Sequence, residues 1–110
     1  MALTRSFKAT VQACVQRDPG FREALLTEGV DALLAGDVAT GKAVLRDFIK
    51  ATVGFEKLAS ATGAPPKGLM RMFSPAGNPS ANNLFPVLGQ LQQESGVYLH
   101  AQSGREAAPT

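Results

Sequence analysis

Apolar side chains in the first half of the chain recur at helical spacing. Phe7, Val11, Cys14 and Val15 share one face at offsets of four, seven and eight, with Thr4 suited to the N-cap. Pro19-Gly20 ends that run. Asp18 is a capping residue followed by proline at the first helical position, which opens a second helix. Phe21, Leu25, Val30, Leu33 and Leu34 form its predicted buried stripe, and Gly36 closes it. Asp37 then caps a third helix that turns Val44, Leu45, Phe48 and Ile49 inward and lays Lys42, Arg46 and Lys50 along a solvated side. Three helices are predicted before residue 53.

The second half is punctuated differently. Residues 55–74 read FEKLASATGAPPKGLMRMFS, two short helices with a glycine turn between them. Ala59 stands four residues before Gly63: a small side chain suits the point where two helices crowd, and glycine tolerates the φ > 0 of the turn. Leu58, Leu69 and Met72 seal the corner. Pro65 keeps Ala64 out of the α region, and Pro66 suits the first position of a helix over about residues 66–73. Leu69, Met72 and Phe73 point inward; Pro66, Lys67, Met70, Arg71 and Ser74 point outward. Beyond Gly77-Asn78-Pro79, Ser80 is a good N-cap for a last helix with the stripe Leu84, Val87, Leu88 and Leu91. Pro86 lies inside that helix and should kink it. After Gly96, Val97, Leu99 and Ala101 alternate with Tyr98, His100 and Gln102, a strand pattern over residues 96–102 that must pair with something. The final SGREAAPT, residues 103–110, reads as a disordered tail.

Composition narrows the function classes. The 110 residues are one domain's worth, and 45% hydrophobic with 18% charged residues is an ordinary globular mixture. No apolar run approaches the roughly 20 residues of a membrane span, and the N-terminus lacks a secretory pattern. A single cysteine excludes an internal disulfide and any multi-cysteine metal site. The expectation is a cytoplasmic protein with no membrane partner. His100 is the one histidine, and hydroxyls and carboxylates fall on caps and solvated faces with no convergent base, so neither catalysis, a metal nor a cofactor is expected. Net charge is +2 and pI about 9.0. Residues 1–53 hold seven basic against six acidic side chains and residues 54–110 four against three, which is no broad footprint for nucleic acid.

The segments FEKLASATG and PPKGLMRMFSPAGNPSANNLF resemble the Cro/C1-type (Xre-like) helix-turn-helix of small prophage regulators. More narrowly, the LMRM, GNPS and NLF runs resemble the HigA-like antidotes of addiction modules. The motif covers about residues 54–91; the similarity in organisation extends over about residues 1–102. The resemblance implies an all-α, Cro/C1-like domain of five or six helices. In it residues 1–53 form an N-terminal helical extension, residues 54–95 the helix-turn-helix core and residues 96–102 a short C-terminal strand. It implies a dimeric DNA-binding repressor of its own operon, an antitoxin that also binds and neutralises a RelE/HigB-type mRNA-cleaving toxin. Phe55 departs from the pattern, standing where many Cro-like domains carry glutamine.

On this reading the DNA-binding set is Pro66, Lys67, Met70, Arg71, Ser74, Asn78 and Ser80. Arg71 suits bidentate recognition of guanine; Lys67 serves a base or a phosphate; Asn78 and Ser80 donate to phosphates. Met70 fits a thymine methyl or a neighbouring subunit equally, and Ser74 reads first as a helix terminator. The bland counterpart for Lys67 and Arg71 is an exposed helix face with no partner. Val97, Tyr98, Leu99 and His100 are the expected dimer or toxin interface, through strand pairing across a homodimer or onto the toxin's sheet. The alternative function is a helical protein-interaction module without physiological DNA binding.

Overall fold

A computed structural model describes residues 18–104, and the helix expected from Phe7, Val11, Cys14 and Val15 lies outside them. The described residues form five helices and no strand: α1 (Pro19–Leu34), α2 (Val38–Ala51), α3 (Phe55–Thr62), α4 (Pro66–Met72) and α5 (Ala81–Ser95). The class is all-α. No helix among the described residues is long and apolar enough to cross a membrane.

Local chemistry sets the element boundaries. The Asp18 carboxylate accepts from the amides of Gly20 at 3.0 Å and Phe21 at 3.3 Å, with Pro19 opening α1. The Asp37 carboxylate accepts from Thr40 N–H at 3.2 Å and starts α2. Pro65 sits at the N-cap of α4 in extended conformation, with Pro66 as its first helical residue. Ser80 occupies the N-cap of α5, but its side chain makes no capping bond. The α5 helix runs without interruption through Pro86.

One apolar core draws on all five helices. Leu26 of α1, Leu45, Phe48 and Ile49 of α2, and Leu58 of α3 meet Leu69, Phe73 and the α5 residues Val87, Leu88 and Leu91. The pair α1–α2 is the most extensive helix contact, and α3 packs on both α4 and α5. Phe55, at the start of α3, stacks obliquely on Phe73 with ring centroids 6.3 Å apart. Phe55 is thus a core residue tying the start of α3 to the end of α4.

Three expectations need correction. The buried side of α1 is centred on Leu26 and Gly29, flanked by the half-buried Leu25, Val30 and Leu33, whereas Phe21 is 38% and Leu34 79% exposed. At about 100° per residue, Leu26, Val30 and Leu33 fall within a sector of about 60° and Phe21 lies about 120° from its nearer edge, whereas Leu34 is only about 40° beyond Val30 and is the last residue of α1. Lys42 is buried instead of solvated, although Arg46 is only half-buried and Lys50 is exposed.

The third correction concerns residues 96–102, which form no strand. Gly96 ends α5, and the chain folds back along that helix. Leu99 N–H donates to Gln92 Oε1 at 2.9 Å and Val97 N–H to Ser95 Oγ at 3.3 Å, so side chains of α5 take the donors that a partner strand would have taken. The alternation itself is real: Val97 is buried and Leu99 half-buried, while Tyr98 and His100 are exposed. Ser103 and Gly104 are exposed without regular structure, and the rest of the expected tail lies outside the described residues.

Paired truncations test the reassigned face of α1. Leu26→Ala should lower the free energy of urea unfolding by about 2–5 kcal/mol, and Leu34→Ala should change it by no more than about 0.5 kcal/mol. Equal losses would restore the stripe expected from sequence.

Candidate functional site

The site is built at the corner between α3 and α4. Leu58 is fully buried and Ala59 is 5% exposed, so both pack into the core beneath the corner. Gly63 then turns the chain with φ 79° and ψ 5°, a left-handed conformation that a Cβ disfavours, and its N–H donates to Ala59 C=O at 2.8 Å. Thr62, to which the sequence pattern gave no role, adds a second tie: its hydroxyl donates to Leu58 C=O at 2.9 Å and accepts from Ala64 N–H at 3.4 Å.

With the corner fixed, α4 presents two unlike sides. Leu69 and the following Phe73 are fully buried and Met72 is half-buried. Pro66, Lys67, Met70 and Arg71 are all exposed, Met70 at 48%. Lys67 and Arg71 are four residues apart on one helix, which places their side chains next to each other on the outward side. The structure therefore brings these four together. Asn78 and Ser80 are also exposed, in the connection leading to α5.

Ser74 is half-buried and committed to its own helix end: its N–H and its hydroxyl both donate to Arg71 C=O, at 3.1 and 2.7 Å. It terminates α4 as expected of it. Of the proposed interface residues at 97–100, Val97 belongs to the protein's own core, and Tyr98 and His100 are left outward.

Behind the exposed side of α4 lies a contact that the expected solvated role of Lys42 did not anticipate. Lys42 reaches from α2 across to the connection after α4, and its ammonium donates to the carbonyls of Ser74 (2.9 Å), Pro75 (3.5 Å) and Gly77 (2.5 Å). Gly77 N–H closes the turn on Ser74 C=O at 3.0 Å. The turn presses so tightly on α4 that a Cβ on Gly77 would lie 1.9 Å from the Arg71 carbonyl oxygen. The signal was present in the spacing: Lys42 stands three residues before Leu45 and seven before Ile49, on the inward side of α2.

Charge is unevenly spread over the described residues. An open cleft of about 480 Å³ on α1 is lined by Gly20, Ala24 and Thr27 together with Glu23, Glu28 and Asp31. The Lys57–Glu94 pair between α3 and α5 is 3.6 Å long, with Lys57 two-thirds exposed, and contributes little. Among the described residues, no group of three or more His, Cys, Asp or Glu side chains is placed to hold a metal ion. No protein-family model matches the chain, and no curated protein or solved structure matches it either.

Two glycine substitutions probe the corner and the turn separately. Gly63→Ala should cost roughly 1 kcal/mol, the strain of a left-handed alanine. Gly77→Ala should cost more, about 1–3 kcal/mol, because backbone must move to admit the methyl. Urea unfolding midpoints of the two variants measure both values and their order.

Proposed function

We propose that this chain is a sequence-specific DNA-binding repressor, with α3 and α4 acting as a Cro/C1-like helix-turn-helix and α4 entering the major groove. The observation that carries the reading is the outward side of α4. Lys67 and Arg71 stand side by side with Pro66 and Met70 on a helix whose opposite side is fully anchored in the core. Arg71 reads a base edge through its guanidinium fork, and Lys67 takes a base or a phosphate. Asn78 and Ser80, exposed beyond the turn, donate to phosphates. The HigA-like resemblance extends the proposal to a cytoplasmic, dimeric antitoxin that neutralises a RelE/HigB-type toxin and represses the shared operon by occupying it.

A second reading is favoured by one observation. The chain carries 11 basic against 9 acidic side chains, a net charge of only +2, which is a weak electrostatic pull on a polyanion. In that reading the exposed Met70 and its neighbours dock a protein, and no DNA is bound.

Titration of a duplex selected by the wild-type protein from a random-sequence pool separates the two. The repressor reading expects the logarithm of affinity to fall with the logarithm of salt at about −0.9 per neutralised phosphate, with few phosphates involved. Arg71→Ala should weaken specific binding by about 1–3 kcal/mol and relax preference at one base pair. Failure to enrich any sequence, with binding insensitive to Arg71→Ala, supports the interaction module instead.

A further inference from the structure

Lys42 is the buried cation to which the proposed function gives no part. It is 6% exposed, pairs with no carboxylate among the described residues, and its ammonium is held by three main-chain carbonyls of one turn. An ammonium out of water is costly to maintain unless its donors are satisfied, and here the carbonyl dipoles satisfy them. The end of α4 is also the negative end of that helix's peptide dipoles, which favours a cation nearby.

The turn gripped by Lys42 is the one seated on Arg71. Ser74 C=O accepts from Lys42, while Ser74 N–H and hydroxyl both donate to Arg71 C=O. Gly77 C=O accepts from Lys42, while the Gly77 α-carbon lies against that same Arg71 carbonyl. Two of the three bonds therefore end on residues in direct contact with the Arg71 backbone. Lys42 belongs to α2, whose Leu45, Phe48 and Ile49 form the centre of the core.

Resting on the DNA-binding reading, we infer that Lys42 is a positioning residue: it fixes the direction in which Arg71 leaves α4, and so sets base preference without touching DNA. The charge on Lys42 is spent inside the protein, and its influence on recognition passes through Arg71.

The test has two arms, both on the full chain. In the first, amide hydrogen exchange is compared between wild type and Lys42→Met. Exchange at Ser74 and Gly77 should accelerate at least about tenfold while Leu45 and Phe48 keep their rates, a local opening that general destabilisation would not mimic. Unchanged rates at Ser74 and Gly77 would overturn the inference.

The second arm is a double-mutant cycle on the selected duplex. Lys42→Met should weaken specific binding roughly tenfold, and Lys42→Met with Arg71→Ala should bind as Arg71→Ala alone does. Losses that multiply would mean that Lys42 does not act through Arg71, and the inference falls. Should Lys42→Met fail to fold, Gly77→Ala disturbs the same turn from the other side and enters the same cycle with the same expectation. A wild type that enriches no sequence overturns the DNA reading and this role with it, while the exchange arm still reports whether Lys42 holds the turn.

Discussion

One ammonium among three carbonyls holds the connection between α4 and α5 in place. That connection, residues 73–80, has no regular structure and buries one side chain, Phe73. Ser74 C=O also accepts from Gly77 N–H within the turn; what Lys42 adds from elsewhere is one donor group shared by the carbonyls of Ser74, Pro75 and Gly77. Its own burial is tolerable because those carbonyls accept from its ammonium.

Two anchors thus flank the outward side of α4. At its N-terminal end stand the left-handed Gly63, the bond from Gly63 N–H to Ala59 C=O, and the Thr62 hydroxyl. At its C-terminal end stand Phe73, stacked on Phe55, and the turn held by Lys42. A seven-residue helix is far too short to be stable by itself, so its direction is set by these ends and by Leu69 beneath it.

Local signals in the sequence were legible, and long-range ones were not. Asp18 with Pro19, Asp37, Pro66 and Gly63 each act on neighbours a few residues away, and each marks its boundary in the structure. Lys42 acts on carbonyls 32 to 35 residues distant. Its spacing placed it inward, but its residue type suggested solvent, and type was the wrong guide because the acceptors were main-chain groups with no signature of their own. In α1 the error ran the other way: apolar Phe21 lies off the sector that Leu26, Val30 and Leu33 share, and apolar Leu34 stands at the very end of the helix. At residues 97–100 the inside–outside alternation was correct and the element was not. Alternation reports which side chains are buried; it does not say which groups take the backbone donors, and here Gln92 and Ser95 take them.

The charge distribution sharpens what the exposed side of α4 can do. Lys42 is withdrawn into the core, α1 turns Glu23, Glu28 and Asp31 to an open cleft, and α4 is left with Lys67 and Arg71 as its cations. A groove-binding protein rich in surface cations can tolerate a loosely held recognition helix, because many phosphate contacts average out its wobble. Two cations cannot do that. On the proposed function, selectivity from this face depends on holding the Arg71 guanidinium at a defined place and angle, since bidentate recognition is lost with a small displacement. A buried lysine that offers no contact to DNA, yet grips the turn seated on the Arg71 carbonyl, is an arrangement that suits such a sparsely charged face.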